Sequence, residues 1–266
     1  MIQRMRADQL LVQRGLAASR SQAARLIESG ARWQRKGHNG LEWKALSKSD
    51  DLPEDAPIEL ANDDEARFVS RGGLKLEAAL THTALSVQGL QCLDVGQSTG
   101  GFTDCLLQRG AAYVTGVDVG HGQVHPRISE DARVRCIEGV NARHTSELNA
   151  TLFIAEDDDI TPAFAGFDFI TGDVSFISLT LVLPTLVPLL KPDAHLLMLV
   201  KPQFELQPEH IGKGGLVKNP EDYAVVQKRL RDCCAELGLT VLDWFDSAIA
   251  GGDGNREFFI HARKQS

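Results

Sequence analysis

Residues 93–102 read LDVGQSTGGF: a short hydrophobic run, a turn holding three glycines, then a stretch of helical composition. A strand that breaks at glycines and resumes as a helix aims backbone N–H groups at the edge of a sheet, where small ligands bind. Such a unit buries its strand only between further strands, so this segment commits the chain to an α/β sheet. The rest of the chain supplies them. Strand-like runs fall at 91–95, 112–118, 133–138, 167–173 and 195–201, followed by a helix at 221–237 and strands at 239–246 and 257–263. That alternation predicts a parallel, doubly wound, Rossmann-like sheet with helices on both faces.

The glycines decide the ligand. A dinucleotide turn reads G-x-G-x-x-G, which lets the backbone approach a pyrophosphate. Here they are Gly96, Gly100 and Gly101, separated by Gln97-Ser98-Thr99, and Asp94 ends the strand two residues before the first. A carboxylate there repels pyrophosphate and attracts a cationic ligand. Asp118 ends the next strand 24 residues on, where an acid commonly accepts ribose hydroxyls. S-adenosylmethionine, with an ammonium, a sulfonium and no phosphate, fits both acids. Its expected cradle is Asp94, Gly96, Ser98, Thr99, Gly100, Gly101 and Asp118, with Asn141 toward the adenine. Taken singly, Asp94 also reads as a helix cap, Asp118 as a turn residue and Asn141 as a polar loop residue.

Charge divides the chain. The net charge is −8, yet residues 1–49 carry +7, leaving −15 for the rest. A basic head suggests a polyanionic partner such as RNA; a solvated basic face is the plainer alternative. Leu10, Leu11 and Leu16 predict one short helix stopped by Gly15. Ser19 with Gln22 predicts a capping box for a second, ended by Gly30, with Arg20 and Arg25 facing outward. Asn39-Gly40 marks a tight turn between strands, and "PIEL" a strand closing the head. Residues 50–66, acidic and with two prolines, read as the boundary region, giving domains 1–62 and 63–266.

Five cysteines without a C-x-x-C pair argue against a metal site or disulfide framework and for a reducing cytoplasm. Neither a signal peptide nor a membrane span is expected. The most apolar stretch, 179–190, is short and holds two prolines, so it reads as buried structure.

Four residues carry the candidate chemistry: Lys75, Asp173 and Lys201, the last two at strand ends, and Glu257 in the final strand. Methylating a hydroxyl requires alignment, a proton acceptor and stabilised negative charge on oxygen, which lysines and carboxylates supply. Each also has a duller reading as a surface charge, cap or ion-pair partner. Lys201, directly after LLMLV, is the hardest to dismiss.

RADQLLVQRGLAASRSQAARLIESG resembles the S4 RNA-binding domain. SRGGLKL, LDVGQSTGGFTDCLLQRGA, DVSFISL, LVKPQFE, GKGGLVKNP and GNREFF together resemble the haemolysin-A-type (TlyA) ribosomal RNA methyltransferases, which join an S4 head to an FtsJ-like catalytic domain. The resemblance implies a 2′-O-methyltransferase acting on ribosomal RNA or subunits, at cytidine. It places the family's Lys-Asp-Lys-Glu tetrad on Lys75, Asp173, Lys201 and Glu257, with Lys201 as general base tuned by Asp173. RNA contacts are expected from Arg4, Arg6, Arg20, Arg25, Arg35 and Lys36. Gln97 departs from the small residue expected in the glycine turn. The loop 207–219 is expected to close over the ribose and to order only with RNA. Two other readings stand beside this: a membrane-active haemolysin, and an inactive RNA-binding ribosome-assembly factor. A pseudouridine synthase would leave the glycine turn and its acids unexplained.

Overall fold

The structure is a computed structural model describing residues 4–17, 19–37, 40–60, 67–144, 148, 165–251 and 254–266. It divides into two compact units, Met1–Leu74 and Lys75–Ser266. The division falls inside a helix, whereas the expected boundary at 62/63 lies outside the described residues.

In the first unit, β1 (Arg4–Arg6) leads into α1 (Ala7–Gln13), and Gly15, at φ +69, lets the chain turn toward α2 (Arg20–Glu28). The Ser19 side chain accepts from the Gln22 N–H at the start of α2, while the Gln22 side chain donates to the Phe68 carbonyl. Strands β2 (Arg32–Gly37) and β3 (Gly40–Ala45) pair antiparallel, with Gly37 opposite Gly40; Asn39 of the expected turn lies outside the described residues. β4 (Asp51–Pro53) pairs with β1, and β5 (Ile58–Glu59), from the PIEL segment, pairs with β2. Leu10, Leu11, Leu26 and Leu52 are fully buried at the centre of this unit.

The second unit begins in α3 (Arg71–His82) and centres on one seven-stranded sheet. Its strands are β6 (Gln91–Val95), β7 (Tyr113–Asp118), β8 (Val134–Glu138), β9 (Phe167–Gly172), β10 (Leu190–Val200), β11 (Leu239–Asp246) and β12 (Phe258–Lys264), in the order β11-β12-β10-β9-β6-β7-β8. Strands β6 to β10 are parallel, as expected; β12 lies antiparallel between β10 and β11. Residues 247–257 between β11 and β12 carry no helix among the described residues. A link of that length turns a strand back and cannot cross over to a parallel partner.

Helices cover both faces. Leu93, Ile170, Leu196 and Met198 face α6 (Leu179–Leu186) and α8 (Asp222–Glu236) through Val182, Leu186, Val226 and Leu230. The apolar run 179–190 is thus a helix that buries one face through Leu179, Val182, Leu183 and Leu186 and leaves Leu181 exposed, followed by a single tight turn. On the opposite face Phe259 stacks on Phe102 of α4 (Gly101–Gln108), with α5 (Pro126–Ser129) beyond it.

The strand order reverses between β6 and β9, and there the chain is tightest. Gly96 has φ +80, and a Cβ on it would lie 2.7 Å from the Asp173 carbonyl oxygen. Gly96→Ala therefore meets both a strained backbone and a clash with main chain, and should cost about 2–4 kcal/mol of unfolding free energy in urea titration.

Candidate active site

A cleft of about 360 Å3 opens at this switch point, above the carboxyl ends of β6, β7 and β9. Gly96, Ser98, Asp118, Gln123, Asn141, Arg143 and Asp173 contribute its polar lining, with Val117, Val140 and Val182 as apolar walls. Ser98 sits at φ +48 and donates its N–H to Asp118 Oδ2 at 2.7 Å; Gly120 N–H binds the other oxygen at 2.7 Å. Asp118 thus fastens the turn after β6 to the end of β7 while facing the cleft. Two carboxylates on the lining, Asp118 and Asp173, suit a cationic ligand and repel a pyrophosphate.

The expected cradle is only partly assembled. Gly96, Ser98, Asp118 and Asn141 line the cleft. Thr99, Gly100 and Gly101 are not among its lining. Gly100, at φ +92, sets the start of α4, and the Thr99 carbonyl accepts from His125 N–H at 3.2 Å.

Asp94 differs most from expectation. Its apolar neighbours Leu93 and Val95 are both buried in the α6–α8 core, at least one of them facing it directly, and strand alternation sends Asp94 the other way, beneath α4. It is fully buried, accepts the Thr103 hydroxyl at 2.7 Å, and leaves Oδ1 without a hydrogen-bond partner. Gln97 extends this network: it is buried and donates to Thr103 Oγ1 at 3.0 Å. Its side chain occupies the space over Gly116 of β7, where a Cβ would come within 2.0 Å. The larger residue in the turn is therefore accommodated by a glycine on the neighbouring strand.

The four chemistry-bearing residues come together. Lys201, directly after β10, lies 2.5 Å from Asp173 Oδ1 and donates to Ser175 Oγ at 2.8 Å. Lys75 of α3 and Glu257, just before β12, form a second ion pair at 2.5 Å, both buried. Burial lifts the Glu257 carboxyl above its usual range; Lys75 opposes this, Asp173 adds to it, and Lys201 opposes it more weakly. The two pairs therefore lie within each other's electrostatic reach. Sequence reasoning missed Ser175, although it stands in the quoted DVSFISL segment.

The head arginines are largely engaged at home. Arg4 pairs with Asp51, Arg6 and Arg20 with the buried Asp8, and Arg35 with Glu42. Arg25 lies within electrostatic reach of Glu28, and Lys36 is exposed. The eight carboxylates of residues 50–66 bring the charge of the first 66 residues from +7 to −1. The loop 207–219 makes contacts of its own and with the residues before β12. Ile211 and Val217 bridge antiparallel, and the side chain of Asn255 binds Val217 N–H at 3.2 Å and the Gly215 carbonyl at 2.9 Å.

This strand order, with its antiparallel penultimate strand and a cleft at the switch point, is that of a Rossmann-like methyltransferase. The chain belongs to the FtsJ-like methyltransferase family, which it matches over residues 68–264. It is 41% identical over 256 residues to YqxC of Bacillus subtilis, provisionally named an rRNA methyltransferase, spanning 96% of this chain and 84% of that one. It is 39% identical over 268 residues to the 16S/23S rRNA (cytidine-2′-O)-methyltransferase TlyA of Mycobacterium tuberculosis, spanning 100% and 92%. A solved structure from Streptococcus thermophilus, provisionally called a hemolysin, superposes with a TM-score of 0.70 at 36% identity, covering 100% of this chain and 90% of that one. The hemolysin name thus falls on the same fold and family. Among the described residues no helix is long and apolar enough to cross a membrane.

Burial pushes the Asp94 carboxyl from 3.8 up to about 7, against the Thr103 hydrogen bonds and with Asp173 and Asp118 adding to the rise. The folded chain then keeps this proton where the unfolded chain has released it. Asp94 accordingly withdraws stability as pH climbs from about 4 to 7. Asp94→Asn cannot ionise, so its melting temperature relative to wild type should rise between pH 5 and pH 8. A difference independent of pH would show Asp94 ionised throughout.

Proposed function

We propose that this chain is an S-adenosylmethionine-dependent 2′-O-methyltransferase acting on cytidine in ribosomal RNA, with Lys201 as general base. The observation that carries the proposal is the Lys201–Asp173 pair, whose carboxylate lines the cleft, with Lys75–Glu257 within electrostatic reach of it. The names of the relatives support the substrate class.

The residues present suit the cofactor. Gly96 lets the chain pass close to Asp173, and the lining offers carboxylates to a cationic ligand and valines to an adenine. When bound, S-adenosylmethionine supplies an electrophilic methyl group. Asp118 and Asn141 hold its ribose and adenine end, and Gly96 and Ser98 shape the turn beneath it. Thr99, Gly100 and Gly101 act by setting the start of α4, and Asp94 by anchoring Thr103.

Lys201 Nζ takes the proton of the incoming 2′-hydroxyl. The contacts to Asp173 and Ser175 are those its ammonium makes once that proton has arrived, so they stabilise the product of the transfer. Lys75, held by Glu257, contributes positive charge toward the oxygen as it becomes nucleophilic. Residues 1–62 serve as an S4-type domain that docks on structured RNA through Arg4, Arg6, Arg20, Arg25, Arg35 and Lys36. A ribosomal substrate places the protein in the cytoplasm.

The test is transfer of a labelled methyl group from S-adenosylmethionine to purified ribosomal subunits and to naked rRNA. Wild type should leave alkali-resistant 2′-O-methylcytidine, and Lys201→Ala should slow transfer about 10²–10⁴-fold. Full activity in Lys201→Ala would remove the base from this residue; absence of label from any RNA with wild type would overturn the assignment.

A further inference from the structure

The segment carrying Asp173 and Ser175 is held in a conformation it would not adopt alone. Phe176, within it, sits at φ +63, a backbone region strained for a bulky side chain, which persists only where the surroundings over-determine it. Phe176 is also 88% exposed, so burial of its own ring does not hold it there. The restraint comes from the turn after β10. Residues 202–205 form a single helical turn, α7 (Pro202–Glu205), which begins directly after Lys201.

Three side chains of residues 201–205 reach the 173–179 segment. Lys201 contacts Asp173 and Ser175, Phe204 packs on Phe176 with ring centroids 5.0 Å apart, and Glu205 takes the far end. Glu205 is 3% exposed. Its Oε2 accepts the Ser178 hydroxyl at 2.5 Å and its Oε1 accepts the Leu179 N–H at 2.7 Å. Ser178 is the N-cap of α6, so the carboxylate grips the first turn of the helix that follows the segment. Arg229 of α8 donates to the Glu205 backbone carbonyl and lends the carboxylate a compensating charge.

Burying a carboxylate is costly, and a serine-capped helix start does not require one. What Glu205 adds is a fixed distance between two segments. Lys201 and Glu205 lie four residues apart on one short turn, while Asp173 and Ser178 lie five apart on the other. Fastening Glu205 to Ser178 and Leu179 therefore fixes the register in which Lys201 meets Asp173 and Ser175. The same fastening holds the cleft wall formed by Val174, Ser175, Phe176 and Ile177.

We infer that Glu205 is a positioning residue for methyl transfer, holding the Asp173–Ser178 segment in register with Lys201 by gripping the start of α6. The inference rests on the function proposed above, which supplies the reaction. It is tested on the full chain with Glu205→Ala and Glu205→Gln, by amide hydrogen exchange over residues 174–180 and by steady-state methyl transfer. Glu205→Ala should lose protection across 174–180 and lower kcat per folded molecule about 100-fold with KM for RNA nearly unchanged. Glu205→Gln still offers an oxygen to the Leu179 N–H and an amide to Ser178 Oγ, and should restore both readouts to within about threefold.

Wild-type protection and kcat in Glu205→Ala would overturn the inference, as would a Glu205→Gln variant no better than Glu205→Ala. Should Glu205→Ala fail to fold, Ser178→Ala removes only the hydroxyl and is read by the same exchange experiment; unchanged protection there would count against the grip. If wild type transfers no methyl group to RNA, the proposed function fails, while the exchange data still decide whether Glu205 holds the segment.

Discussion

Everything in the catalytic unit depends on how closely β6 and β9 approach at their carboxyl ends. The Asp173 N–H donates to the Val95 carbonyl at 2.9 Å, and Gly96 then passes the Asp173 carbonyl with no room for a side chain. The turn that borders the cleft and the carboxylate that meets Lys201 are thus one structural object. In an open parallel sheet the crevice arises where successive crossovers leave to opposite sides. Here the chain fills the base of that crevice with main chain and leaves the side chains of Ser98, Asp118 and Asp173 to define its chemistry.

The two lysine–carboxylate pairs have different surroundings. Lys75 and Glu257 are buried, and removing either partner would leave a charge in a poorly solvated place. Lys201 and Asp173 keep partial access to solvent, with side chains 14% and 26% exposed, and Asp173 lines the cleft. The buried pair is suited to a fixed role and the accessible one to exchanging a proton. The members of each pair are separated along the chain, and only the fold brings them together.

Much of this was legible before any coordinates. LDVG, FITGD and LLMLVKP each place an acid, glycine or lysine directly after an apolar run, and the strands β6, β9 and β10 end there. The antiparallel β12 was not legible, because hydrophobic runs carry no direction. The placement of Asp94 was open to a period-two reading between Leu93 and Val95, but which face of the sheet borders the ligand depends on the helix that covers the other. Glu205 and Ser175 escaped notice because their partners lie 26 or 27 residues away, and only packing reveals such distances. In the head, a charge count that stops at residue 49 omits the acids of the next segment, among them Asp51 and Glu59, which pair with Arg4 and Arg32.

That internal pairing changes what ten basic residues are worth to a polyanion. Affinity for nucleic acid gains from the counterions that phosphate contacts set free, and it weakens with added salt in proportion to their number. A guanidinium already facing Asp8, Asp51 or Glu42 has a carboxylate to surrender before it can take a phosphate. Each such exchange swaps one anion for another and liberates little. On the RNA-binding role proposed for it, the head would grip a polyanion less through bulk charge than through the shape that its paired arginines hold in place, and that binding would tolerate ionic strength better than its count of cations implies.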